Sequence, residues 1–189
     1  MPRLFVAIEL DPAVRDRVSR EQERLAAAIG REALRLVQRE HLHLTLVFLG
    51  DTRDEDVPAI EQAMNRDVDQ RPFAVRLGGS GVFPERGAPR ALWLAVQAGE
   101  AQIVALQAEI LSRVGDCGVA VERRRFHPHL TLARWKTRGR SLRPRDADGS
   151  PEAVAAFEVH EAVLFESALS SKGPAYTARA RARLAGKLH

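Results

Sequence analysis

One pattern, His-x-His-Leu-Thr-Leu, occurs twice in this chain, from His41 to Leu46 and from His127 to Leu132, the second copy offset from the first by 86 positions. A run that alternates polar and apolar residues with period two can bury one clean face only as a β-strand. His43 and Thr45 therefore share one face of a strand, and Leu42, Leu44 and Leu46 the other; His129 and Thr131 stand opposite Leu130 and Leu132 in the same way. The leucines anchor each strand in a core, and each strand then presents an imidazole and a hydroxyl side by side. Whatever this chain folds into has to hold two such strands.

The sequence around them alternates strand and helix signals. Strands are predicted at 3–10, 34–38, 41–49, 72–78, 90–97, 118–122, 128–134, 157–166 and 176–184. A first helix starts with Asp11 as its cap and Pro12 at its first position, carries Val14, Val18, Leu25 and Ile29 on one face, and stops at Gly30. A second, at about 54–68, buries Val57, Ile60, Met64 and Val68, with Pro58 in its first turn. A third, at about 99–114, turns Ile103, Leu106, Ile110 and Val114 inward and stops at Gly115. Turns are expected at the Gly78-Gly79-Ser80-Gly81 stretch and between Pro84 and Pro89, a polar basic loop at 137–150, and a short helix from Pro151 with Ser150 as cap.

This mixture predicts an α+β fold rather than a parallel doubly wound sheet. The order strand–helix–strand–strand appears before residue 50 and again around residues 90–134, and each copy ends in the His-x-Thr motif. Two related lobes facing each other are expected, interleaved within a single domain over 1–189. A chain of 189 residues that is 45% apolar can bury a sizeable core without a disulfide or metal. The single Cys117 excludes an internal disulfide framework and a four-cysteine zinc site. The apolar run Leu4 to Ile8, ended by Glu9, is too short for a signal-peptide core, and no stretch approaches the roughly 18 apolar residues of a membrane span. A soluble, cytoplasmic protein is expected.

There is no glycine-rich phosphate loop. Of the 29 basic residues all are arginine except Lys136, Lys172 and Lys187, and the planar guanidinium fork suits phosphate oxygens. Two imidazoles on opposite sides of a phosphorus atom suit in-line displacement without a metal: one deprotonates the attacking oxygen while the other protonates the leaving one. A threonine two residues along can donate to a phosphate oxygen. Zinc ligation by His41, His43, His127 and His129 is an alternative use of the same residues; Pro128 inside the second pair and the lack of a carboxylate within three positions of His129 weigh against it. The Arg179, Arg181, Arg183 ladder reads as a solvated strand face, Arg123 to Arg125 as a polyanion-steering cluster, and Phe83, Trp93 and Trp135 as packing residues or base platforms.

The stretches HLTLVFLG (43–50) and FHPHLTLAR (126–134) resemble the paired signatures of the 2H phosphoesterase superfamily, and are most similar to its RNA 2′,3′-cyclic phosphodiesterases, historically called 2′-5′ RNA ligases. RLFVAIEL at the start, GVFPERGAPRALWLAV at 81–96 and VLFESALSSKGPAYT at 163–177 are also similar to family segments. The resemblance implies a bilobal fold of antiparallel sheet with outer helices, and motifs facing across a central cleft. It further implies metal-independent, cofactor-free hydrolysis of RNA 2′,3′-cyclic phosphate ends to 2′-phosphomonoesters, with His43 as proton donor, His129 as proton acceptor, and Thr45, Thr131 and Arg134 binding substrate. Strict alternation places Arg134 on the leucine face, so that role requires the strand to bend or end there. A 2′-5′ ligase joining RNA halves and a non-catalytic nucleotide- or RNA-binding module are the alternatives, and a monomer without membrane attachment is expected.

Overall fold

A computed structural model of the protein describes residues 1–120, 125–136, 153–170 and 173–186. The strands are β1 (Arg3–Glu9), β2 (Leu34–Leu36), β3 (His43–Asp51), β4 (Phe73–Phe83), β5 (Ala91–Ala98), β6 (His129–Trp135), β7 (Ala155–Val159), β8 (Glu161–Ser170) and β9 (Gly173–Arg183). Three α-helices accompany them: α1 (Pro12–Ile29), α2 (Val57–Met64) and α3 (Glu100–Asp116). The start of α1 follows the sequence prediction, with the Asp11 carboxylate accepting from the Val14 N–H at 2.9 Å and proline in the first turn.

The nine strands form one sheet in the order β7-β4-β5-β6-β3-β1-β8-β9, with β2 paired to β6 beside that path. Every pairing between named strands is antiparallel, so the fold is α+β. β3 and β6 meet at a single register position, Leu44 opposite Leu130. The sheet thus divides there into one half built from β1, β3, β8 and β9 and another built from β4, β5, β6 and β7. A continuous core runs through both, from Leu4, Val6 and Ile8 of β1 to Leu92 and Leu94 of β5 and the inward faces of all three helices.

Four predictions are corrected. The single strand expected at 157–166 is two strands broken at His160, and they belong to opposite halves: β7 pairs with β4, β8 with β1. Only His160 separates them, so the sheet must curl until its outer strands approach, and the His160 carbonyl accepts from the Leu184 N–H at 2.8 Å just beyond β9. The Gly78-Gly79-Ser80-Gly81 stretch is not a turn but lies inside β4, where Gly79, at φ 66°, forms a bulge between Gly78 and Ser80. The strand expected from residue 118 is turn and coil over 118–120. Ala153 and Val154 are not helical either; Val154 donates to the Leu77 carbonyl at 2.8 Å and leads into β7. The predicted loop at 137–150, the proposed Ser150 cap and Pro151 lie outside the described residues.

Candidate active site

The Leu44–Leu130 pairing places the two motifs. Opposed residues of an antiparallel pair share a face, and their neighbours share the other. His43, Thr45, His129 and Thr131 therefore stand together on the face opposite the buried leucines, related by a pseudo-twofold through Leu44 and Leu130.

Both histidines are held identically. His43 Nδ1 lies 2.7 Å from the His41 carbonyl oxygen, and His129 Nδ1 lies 2.7 Å from that of His127. A carbonyl only accepts, so each Nδ1 carries the proton and donates it, and each Nε2 is left as the basic nitrogen. The role of His41 and His127 is thus to supply these carbonyls. Their rings pack beside the site, His41 against Tyr176 at 4.4 Å and His127 parallel to His129 at 6.3 Å. The Thr45 hydroxyl donates to His43 Nε2 at 2.9 Å.

Each motif ends in a β-bulge at its last leucine. In β3, Thr45 is opposite Ala7 and Val47 opposite Val6, leaving Leu46 as the extra residue. In β6, Thr131 is opposite Trp93 and Ala133 opposite Leu92, leaving Leu132 extra. A one-residue bulge reverses the alternation beyond it. Leu46 and Val47 are consequently both buried, as are Leu132 and Ala133, and Phe48 and Arg134 emerge on the histidine face. This corrects the placement of Arg134 on the leucine face. Its charge acts on both His129 and Tyr176, one from each half of the sheet. Phe48 is 58% exposed, an unusual setting for a large apolar ring.

Aromatic side chains wall both imidazoles. Phe5 lies 5.1 Å from His43 and stacks on Phe165, and Tyr176 meets His43 edge-on at 5.7 Å. Phe83 and Trp93 stack on each other at 5.0 Å and meet His129 at 5.0 and 6.2 Å. Gly81 makes this possible: a Cβ there would lie 2.2 Å from the Trp93 ring. Trp135 pairs with Leu34, away from the histidines.

Burial sets the protonation states. It pushes the His43 ring down to about 4, opposed by the bond to the His41 carbonyl and assisted by the charges of His41 and Arg15. Burial lowers His129 in the same way, with the His127 carbonyl opposing and His127 and Arg134 assisting. Both rings are neutral at pH 7.

The described residues contain no group of three or more His, Cys, Asp or Glu side chains placed to hold a metal, and no helix long and apolar enough to cross a membrane. Two arginines of the ladder are engaged in ion pairs: Arg179 with Glu61 and Glu166, Arg181 with Glu9 and Glu161. Of the steering cluster, Arg125 is exposed, and Arg123 and Arg124 lie outside the described residues. Sequence reading missed Phe5, Phe48 and Tyr176, whose arrival at the site depends on strand pairing, and Gln22. The Gln22 side-chain amide, 3% exposed, donates to the Leu132 carbonyl at 2.6 Å and the Val37 carbonyl at 2.8 Å. Its position in the apolar stripe of α1, between Val18 and Leu25, was the available signal.

The family model of the 2′-5′ RNA ligase superfamily matches residues 11–169. The chain belongs to that superfamily. One superfamily relative, an RNA 2′,3′-cyclic phosphodiesterase of Archaeoglobus fulgidus, is 32% identical over 92% of this chain and 96% of its own length. The crystal structure of TT0787 from Thermus thermophilus has a TM-score of 0.77 at 28% identity, covering 98% of this chain and all of that one (100%). Escherichia coli LigT complexed with 3′-AMP has a TM-score of 0.73 at 27% identity, covering 97% and 98%.

Proposed function

We propose that this member of the 2′-5′ RNA ligase superfamily, acting as one unit over 1–189, hydrolyses 2′,3′-cyclic phosphate ends of RNA to 2′-phosphomonoesters by two-histidine acid–base catalysis. The observation that carries this reading is the matched pair of imidazoles on one face of the paired motif strands, each fixed through Nδ1 so that Nε2 is left as the basic nitrogen. Family membership and the phosphodiesterase named among the relatives support it, and a LigT structure complexed with 3′-AMP supports a nucleotide-containing substrate.

In the proposed reaction His129 Nε2 takes a proton from water as its oxygen bonds to phosphorus, and the bond from phosphorus to O3′ breaks. His43, protonated, gives its proton to O3′, leaving the phosphate on O2′. His43 is neutral in the free protein at pH 7, so the acid form requires help. A cyclic phosphate carries one negative charge, and a nearby anion raises an imidazole pKa against the effect of burial. Thr45 and Thr131 hold the non-bridging oxygens, Arg134 neutralises the phosphate, and Phe48 offers its exposed ring to the terminal base.

The test is incubation with an oligoribonucleotide ending in a 2′,3′-cyclic phosphate, with the product isomer identified. Accumulation of the 2′-phosphate is the expected result. No turnover, or the 3′ isomer, overturns the reading.

A further inference from the structure

Arg35 and Arg134 stand directly opposite each other where β2 pairs with β6. Opposed residues of an antiparallel pair point to one face with Cβ atoms about 4.5–5.5 Å apart. That face is the histidine face, because the Leu132 bulge has already turned Arg134 onto it. Both arginines are exposed. Among the described residues neither has a carboxylate at ion-pair distance, whereas their neighbours do: Arg31 meets Glu23 at 3.1 Å and Arg39 meets Asp16 at 2.6 Å. Like charges directly opposed weaken a strand pair, so this arrangement costs stability that a bound anion would restore.

β2 lies on the side of β6 that faces the other half of the sheet, taking up the pairing that β3 leaves after Leu130. A guanidinium on β2 therefore extends the site laterally, along the stretch of β6 that β3 leaves. An RNA whose last ribose carries a 2′,3′-cyclic phosphate continues only through O5′, so its next anion is the phosphodiester one nucleotide away from the reacting phosphorus. Two adjacent forks match two adjacent phosphates.

We propose that Arg35 is a second anion-binding residue of this site, taking the phosphodiester on the 5′ side of the cyclic end while Arg134 serves the cyclic phosphate, so that the site selects an oligonucleotide end over a mononucleoside cyclic phosphate. The proposal rests on the cyclic phosphodiesterase reading above and adds a substrate preference to it.

The experiment compares a trinucleotide ending in a 2′,3′-cyclic phosphate with a mononucleoside 2′,3′-cyclic phosphate, using wild type, Arg35→Gln and Arg35→Lys. Arg35→Gln is expected to raise KM for the trinucleotide about tenfold, to leave the mononucleotide within about twofold, and to lower the salt slope of trinucleotide binding by about one. Arg35→Lys, which keeps the charge and loses the fork, is expected to fall between. Equal effects on both substrates, or none on either, overturn the proposal. In parallel, equilibrium binding is measured with a fluorescent trinucleotide bearing a 2′-phosphate end and with the corresponding mononucleotide. If wild type turns over neither substrate, the phosphodiesterase reading fails; the subsite then stands if Arg35→Gln weakens trinucleotide binding alone and falls if it does not.

Discussion

The side-chain amide of Gln22 and the backbone carbonyl of Leu132 meet at 2.6 Å, joining the middle of α1 to the bulge that ends the second motif. The Leu132 oxygen also accepts from the Val37 N–H at 2.8 Å, and the same Gln22 amide donates to the Val37 carbonyl. The bulge determines which face Arg134 occupies, so a buried helix side chain sets the position of the arginine proposed to bind phosphate relative to His129. Gln22→Met keeps the length and removes both donations. It is expected to destabilise the fold by about 1–3 kcal/mol, the cost of leaving buried carbonyls short of a partner, and to raise KM. In an Arg134→Ala background the same substitution is expected to leave KM unchanged while still lowering stability. Thermal melts and Michaelis curves on the four proteins measure both; an equal rise in KM in both backgrounds would show that Gln22 does not act through Arg134.

The lowered imidazoles make pH dependence specific. The proposed catalysis requires His43 charged and His129 neutral, and because burial holds both rings below the usual 6.5, His43 down to about 4, that form is a minor one in the free protein and grows scarcer as the pH rises through neutrality. The kcat/KM profile is therefore expected to peak below pH 6.5 and to fall through neutrality. The kcat profile should peak at higher pH, because bound phosphate raises the ring that holds the proton. His43→Ala and His129→Ala should each lower kcat by ~10²-fold or more and each remove one limb of the bell.

Stability follows the same groups with a definite sign. Between pH 6.5 and about 4 the unfolded chain binds protons that the folded rings refuse, so stability rises with pH across that window. It is fully present above 6.5 and lost progressively as the pH falls towards 4. His43→Asn is expected to flatten this slope in urea unfolding at pH 7 and pH 5; an unchanged slope would mean that burial does not depress His43 in solution.

Much of this was legible in the sequence, for reasons that also explain the rest. Period-two alternation identifies the motif strands and their polar faces because it is a local property of an extended chain. The bulges at Leu46 and Leu132 are not, since Leu-Val and Leu-Ala read as ordinary apolar steps, and so the faces of Phe48 and Arg134 could be found only from strand register. The glycines of β4 carry a turn signal that pairing overrides: Gly79 forms a bulge, and Gly81 leaves room for the Trp93 ring. The break between β7 and β8 at His160 bears neither glycine nor proline; it is imposed by curling of the sheet.

The chemistry proposed uses no metal, and hydrolysis is expected to continue in excess EDTA at an unchanged rate. Activity lost on chelation and restored by a divalent ion would replace the acid–base scheme with a metal-assisted one.

The two threonines offer the sharpest test of the geometry, because one of them is already bonded to its ring in the free protein. Thr45 donates its hydroxyl proton to His43 Nε2 at 2.9 Å, the atom that must face the leaving oxygen. When phosphate binds, this hydroxyl must turn to a non-bridging oxygen, freeing Nε2 for its proton. Thr45→Val keeps the shape and β propensity, deletes that hydrogen bond, and removes the proposed phosphate contact with it. Thr131, beside His129 on the paired strand, is expected to serve the phosphate likewise, so Thr131→Val probes the same role from the other half of the sheet. Each substitution is expected to reduce kcat/KM by about 1–3 kcal/mol, the usual loss for an unmet polar contact. Neither threonine transfers a proton, so the limbs of the pH profile should persist in both variants. If the hydroxyls serve only to support the strands, melting temperature will fall and kcat/KM will stay. Unchanged kcat/KM in both variants would mean that the phosphate does not sit between these two strands.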